Sequence, residues 1–230
     1  PKTVDIFGIE AAFVEAESAP AQPPAPSIEK AEPPGVSRPT VVPRKKWGAA
    51  SAKTPYEPMA PRRISVHHTE GDQPTSRADA ENEMRIIQRF HQKGRGWIDI
   101  GYHFVIDGTG RIYQGRPENV IGAHVHNQNQ GNIGISLMGS FQKPRNQQPT
   151  KKQIESLIKL AGWLDVTYEI DPTSATFLGH RDQIATTCPG QNLYLRLDSI
   201  RETIKRALPK PVPAPPAALL ELSKYLGGFP

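Results

Sequence analysis

Twenty-four prolines are unevenly spread over this chain of 230 residues, and they limit where it can build a packed core. The stretches "PAQPPAPSIEKAEPPGVSRPTVVP" (20–43) and "PKPVPAPPA" (209–217) are too proline-rich for helix interiors or central strands, because proline fixes φ and lacks a backbone donor. Both are expected to run as extended, solvated straps. The expected division is an acidic, proline-rich extension over 1–40, a folded domain over 41–208, and a proline-rich extension over 209–230 that ends in a short amphipathic segment. The middle stretch is long enough to bury a core without staples.

Charge divides the chain in a similar way. The first 35 residues carry Lys2 and Lys30 against six carboxylates, a net −4; the whole chain is +5, which leaves +9 on the remainder. A basic domain suits an anionic partner, either nucleic acid or an acidic wall polymer. A nucleic-acid surface needs cations interleaved with aromatics on one face. Only "RRIS" and "PRKKW" approach that, both at margins, so no nucleic-acid partner is expected. No apolar run approaches the ~20 residues of a membrane-spanning helix. The chain begins "PKTV", without a charged-then-apolar leader.

Strand and helix signals alternate through the middle. "RRISVHHTEG" (62–71) reads as a strand entering a polar turn, and Ser76 with Asp79 resembles a capping box. Met84, Ile87 and Phe90 recur at helical spacing before Gly94. "GYHFVID" (101–107) and "RIYQG" (111–115), joined by "GTG", predict a hairpin, and "NIGISLMGS" (132–140) a central strand. Thr150 and Gln153 form a capping box ahead of a helix with Ile154, Leu157, Ile158, Ala161 and Leu164 on one face. "TFLGH" (176–180) is a short strand, and Leu193 to Leu208 a final helix. The expectation is an α/β domain, a mixed central sheet flanked by helices.

Seven histidines and a single cysteine carry the chemistry. His67 and His68 close a strand, where successive side chains face opposite ways, so at most one of them reaches a given site. His91 falls on a helix and is expected at the surface. His180 and Cys188 flank a seven-residue loop, "GHRDQIATTCPGQ" spanning 179–191. Cys188 has no internal disulfide partner, which leaves a buried small hydrophobe, a nucleophile or a metal ligand. Zinc accepts mixed imidazole and thiolate donors, with three protein ligands and an open fourth position in catalytic sites. On spacing alone the three readings stay open.

The residues also carry a resemblance. "VHHT" (66–69), "WIDIGYHFVIDGTGRIYQGRP" (97–117), "GAHVHNQNQGNIGISLMG" (122–139) and "GHRDQIATTCPG" (179–190) resemble the zinc N-acetylmuramoyl-L-alanine amidases of the peptidoglycan recognition protein and phage T7 lysozyme type, with "VVPRKKWGA" (41–49) as a similar lead-in. The likeness runs from about 41 to 206 in the family's order. It implies a recognition protein-like amidase fold and one catalytic zinc ion held by His67, His180 and Cys188. It further implies Tyr102 as a catalytic residue, and Thr186 where phage-type enzymes have lysine and competent recognition proteins commonly have threonine. His124 matches a histidine lining the substrate groove, and Asn129 lies five residues on in the same loop; both are expected to contact substrate. A related amidase branch has a glutamate base where this chain has Ser136, and ligates zinc with aspartate rather than cysteine.

The resemblance thus implies hydrolysis of the amide joining N-acetylmuramic acid to L-alanine, with peptidoglycan or muropeptides as partner. The alternative is a recognition module that binds peptidoglycan without cutting it. A monomer is expected, working in a periplasm or outside the cell, or released by a phage at lysis. The sequence offers no strong general acid for the leaving amine. His103 and His126 are expected in core or solvent, and His68 to orient nearby backbone.

Overall fold

A computed structural model describes residues 36–208. The segments around Ile6, Ile9 and Phe13 and over 217–229, read above as amphipathic, lie outside the described residues.

A short strand β1 (Val41–Val42) leads into a single helical turn α1 (Arg44–Trp47). Strand β2 (Arg63–His68) follows, then helix α2 (Arg77–Arg89), which passes into a π-helical turn over Phe90–Gly94. Strands β3 (Phe104–Ile106) and β4 (Ile112–Gln114) form the expected hairpin, and β5 (Asn132–Leu137) returns to the middle. The long helix α3 (Lys151–Tyr168) precedes β6 (Phe177–Gly179), a 3-10 turn over His180–Asp182, α4 (Gln191–Tyr194) and α5 (Leu197–Ala207).

The six strands form one sheet in the order β1-β4-β3-β5-β2-β6, parallel throughout except for the β3–β4 hairpin. β5 is buried along its whole length, as its apolar run predicts for a central strand. Period-two alternation then supplies a core on each face. Ile64, Val66, Phe104, Ile106, Ile133 and Ile135 pack against Leu157, Leu160 and Leu164 of α3 and Ile200 and Ile204 of α5. Val105 and Tyr113 face the other way, against Trp47, Ala80, Met84 and Ile87. Each fully buried aliphatic side chain contributes roughly 1.5–3 kcal/mol. The α3 start has both halves of the predicted capping box: Gln153 N–H donates to Thr150 Oγ1, and Thr150 N–H to Gln153 Oε1.

Two expectations need correction. Phe90 is 53% exposed, whereas His91 is buried. His91 lies four residues after Ile87 and seven after Met84, so it continues their face, and the π-helical turn leaves Phe90 outside. The final helix is also not continuous. It breaks at Leu195–Arg196, where Arg196 N–H donates to Leu193 O and Leu195 stands 70% exposed, so that Leu193 and Leu197 both enter the core.

Candidate metal centre

β2 and β6 run side by side and parallel, with Val66 opposite Gly179. Each strand therefore delivers the next residue, His67 and His180, to the same end of the sheet, and their ring centroids lie 4.5 Å apart. Alternation sends His67 to the α2 face and His68 to the opposite one, against Phe141. His68 does orient backbone: its Nδ1 accepts from Phe141 N–H at 3.4 Å.

The loop after His180 folds back on itself. Arg181 N–H donates to Cys188 O (3.0 Å), the Arg181 side chain reaches Thr187 O, and Gly190 N–H closes a turn onto Thr187 O (2.9 Å). Gly190 has φ +86°, and a Cβ there would stand 2.7 Å from the Phe141 carbonyl carbon, so the turn requires glycine. Cys188 Sγ is thereby placed 3.6 Å from His67 Nδ1, and it accepts His68 N–H at 3.5 Å. One donor atom from each of His67, His180 and Cys188 lies within 4.8 Å of the others.

The donor set passes a simple test of fit to zinc. Zinc–nitrogen bonds near 2.05 Å and a zinc–sulfur bond near 2.3 Å at tetrahedral angles put nitrogen and sulfur about 3.6 Å apart. His67 Nδ1 and Cys188 Sγ stand at that separation, which also suits a thiol–imidazole hydrogen bond. His180 Nε2 is buried with no hydrogen-bond partner among the described residues, which suits a metal-ligand atom. Burial lowers the pKa of His67 well below its ordinary value, with the neighbouring His124 and His180 adding to the effect, and burial also lowers that of His180. Both imidazoles are neutral at pH 7, as ligands must be. Burial pushes the Cys188 thiol up to about 12, against the pull of the His68 N–H.

Tyr102 stands beside this cluster, its ring 5.3 Å from that of His67. Burial first, then the Cys188 charge, raises its phenol pKa, while Ser136 pulls it down. It is a neutral O–H donor at pH 7. Thr186 Oγ1 accepts Cys188 N–H at 3.3 Å, which leaves the hydroxyl proton free to donate. His124 and Asn129, expected to contact substrate, lie in the same loop, where Asn129 braces the backbone of His124. Asn129 Oδ1 accepts the backbone N–H groups of His124 and Val125 at 2.8 and 2.9 Å. His124 is buried, and both ring nitrogens already have protein partners, His67 Nε2 at 3.1 Å and Asn132 O at 2.9 Å. The exposed His126 and the buried His103 lie where solvent and core roles place them.

The sequence pattern of the N-acetylmuramoyl-L-alanine amidases matches residues 57–191. Peptidoglycan-recognition protein LB of Drosophila melanogaster is 37% identical over 168 residues, 72% of this chain and 70% of that protein. The chain belongs to the peptidoglycan recognition protein-like amidase family. Among solved members, wild-type Drosophila recognition protein LB superposes with a TM-score of 0.63 at 35% identity, covering 70% of this chain and 93% of that one. The N-acetylmuramoyl-L-alanine amidase LysCS of Clostridium intestinale, an endolysin, gives 0.60 at 32% identity, covering 74% and 99%. The mixed sheet flanked by helices is thus the architecture of this amidase family.

Sequence reasoning missed one residue beside the site. His91 Nδ1 accepts Gly101 N–H (3.0 Å), its carbonyl accepts Trp97 N–H (3.0 Å), and its ring lies 5.6 Å from that of Tyr102. It ties both ends of the loop that carries Tyr102. The i, i+4 spacing from Ile87 was the available signal; its polar type pointed to the surface instead.

Proposed function

We propose that this member of the family is a zinc-dependent N-acetylmuramoyl-L-alanine amidase. The observation that carries the proposal is the convergence of a donor atom from each of His67, His180 and Cys188 beside the ring of Tyr102, with Cys188 Sγ 3.6 Å from His67 Nδ1. Zinc, when bound, supplies a Lewis acid that polarises an amide carbonyl and acidifies water at neutral pH. His67, His180 and Cys188 would hold it. Tyr102, kept protonated by burial, donates a hydrogen bond to the carbonyl oxygen as negative charge grows there. The Thr186 hydroxyl, whose oxygen accepts Cys188 N–H at 3.3 Å, would support the same oxygen or the departing amine.

The substrate follows from the family: peptidoglycan or its muropeptides, cut between the lactyl group of N-acetylmuramic acid and L-alanine. Supporting this class, the structure of recognition protein LE, 28% identical with a TM-score of 0.64, is a complex with tracheal cytotoxin, a monomeric diaminopimelic acid-type peptidoglycan. Such a substrate lies outside a cytoplasmic membrane, which favours a periplasmic or secreted protein, or a phage lysis enzyme. No helix among the described residues is long and apolar enough to cross a membrane.

The test is to incubate the protein with peptidoglycan, with and without a zinc chelator, and to assay newly exposed N-terminal alanine. Chelator-sensitive release is expected. Wall binding without release, from intact wall and soluble muropeptides alike, would hand the chain to the binding-only reading. Tyr102→Phe should lower kcat by ~10²–10³ while zinc content stays at the wild-type level. Unchanged kcat would remove the phenol from the mechanism.

A further inference from the structure

We infer that His124 is a positioning residue. It fixes which nitrogen of His67 carries the proton, and so leaves the metal-facing nitrogen bare. The inference rests on the reading of His67 as a zinc ligand.

The argument begins at a backbone carbonyl. Asn132 O can only accept, and it lies 2.9 Å from His124 Nε2. That nitrogen must therefore carry the hydrogen, which leaves Nδ1 of the neutral ring as an acceptor. Nδ1 faces His67 Nε2 at 3.1 Å, so the hydrogen of that bond belongs to His67 Nε2. His67 Nδ1 is then the bare nitrogen, and it is the one that faces Cys188 Sγ at 3.6 Å. The opposite assignment would set an unprotonated His124 Nε2 against a carbonyl oxygen at 2.9 Å, lone pair to lone pair. One carbonyl of β5 thus decides, through two imidazoles, the tautomer of a donor on β2.

The ring that passes this instruction is held in a slot. A Cβ at Gly134 would come 2.7 Å from its Cγ and Cδ2, and one at Gly122 2.5 Å from its Cδ2. Asn129 Oδ1 holds the backbone N–H of the same residue at 2.8 Å. His103 stands edge-on at 5.5 Å, itself fixed between Gly134 N–H (2.8 Å) and Val120 O (2.8 Å). The ring of His124 has no room to turn. A histidine that orients a ligand by hydrogen bond in this way typically changes metal affinity by ~10–100-fold when removed.

Two variants separate this role from packing. Glutamine at the position offers a carbonyl to His67 Nε2 and an amide donor to Asn132 O; leucine fills space and offers neither. In zinc competition against a chromogenic chelator, His124→Leu is expected to bind ~10–100-fold more weakly than wild type. His124→Gln is expected to recover most of that loss. Equal affinity for wild type and His124→Leu, or equal loss in both variants with native melting, would overturn the inference. Nitrogen NMR of the metal-free wild-type protein gives a readout independent of zinc and of any variant's folding. The hydrogen is expected on Nε2 of both His67 and His124, and a hydrogen on His67 Nδ1 would equally overturn the relay. Wild-type protein that binds no zinc would defeat the proposed function, while the NMR result would still decide the relay.

Discussion

Two buried polar clusters sit within one domain and are finished differently. Around Asp99 every capacity is met: Oδ1 accepts from Gln88 Nε2 (2.6 Å) and Ile100 N–H (2.7 Å), while Oδ2 takes the Tyr56 hydroxyl and the Arg44 guanidinium at 2.9 Å. Arg116 beside it donates to three carbonyls, those of Asp99, Ile100 and Ile121. Around His67 the partnering is incomplete. His67 Nε2 and His124 are satisfied, but His180 Nε2 is not, and Cys188 Sγ and His67 Nδ1 face a common point. Buried polar groups that are fully partnered rigidify a fold, whereas one left open has a cost that persists only where something else supplies the partner. The first cluster is scaffold. The second is shaped around what it is proposed to bind.

Breaking each cluster should therefore give opposite phenotypes. The largest effect is expected for Cys188→Ser. It removes the thiolate and with it several kcal/mol of transition-state stabilisation, ~10³–10⁴-fold in kcat/KM, measured as alanine release. Its metal-free melting temperature should stay within a few degrees of wild type, because the serine hydroxyl can still accept His68 N–H and donate to His67 Nδ1. Activity near wild type would dissolve the distinction between the clusters. Asp99→Ala is the reverse case. It leaves the Arg44 guanidinium without its buried carboxylate and should cost about 3–5 kcal/mol in urea unfolding. Any protein that folds should retain the cluster of His67, His180 and Cys188. A loss below ~1 kcal/mol would mean that the cluster is not scaffold.

Asp165 sharpens the comparison, since it is buried and open with no donor set around it. The residue is 2% exposed on α3, and neither carboxylate oxygen has a partner among the described residues. Burial, with a smaller contribution from Asp171, raises its pKa to about 8. The sign follows directly: the folded state keeps this proton while the unfolded chain releases it near pH 4. Its contribution to stability is thus fully present below about pH 4, declines as pH rises toward 8, and is constant above that. Asp165→Asn should change little at pH 4 and stabilise by roughly 1–3 kcal/mol at pH 8, read as a rise of several degrees in Tm. A gain that does not grow with pH would show that the carboxyl is not the source.

Much of the fold could be read in advance, and the reasons are local. The Thr150 capping box, the "GTG" hairpin and the apolar run of β5 each depend on residues close in sequence, so each formed where the pattern placed it. The errors arose where long-range packing overrode a local cue. Helical spacing continued to Phe90, yet the π-helical turn left that ring outside and His91 inside. The final amphipathic stretch was broken so that Leu193 and Leu197 could both be buried. For the candidate site, residue types and their resemblance to the amidases named His67, His180, Cys188 and Tyr102, and the structure sets these four side by side. The role of His124 was not legible. The resemblance to the amidases implied a groove wall, and nothing local reveals that its two nitrogens end on β2 and β5.

The sequence by itself determined the elements, the two-faced apolar alternation and the inventory of donor atoms, because turn chemistry and periodicity act over a few residues. Only the tertiary structure decided which donors meet. Parallel pairing of β2 with β6 brings residues 113 positions apart to one edge, and a carbonyl of β5 sets the tautomer of a ring on β2. Such geometry is a property of strand order and register, and register is fixed only when every buried face packs at once.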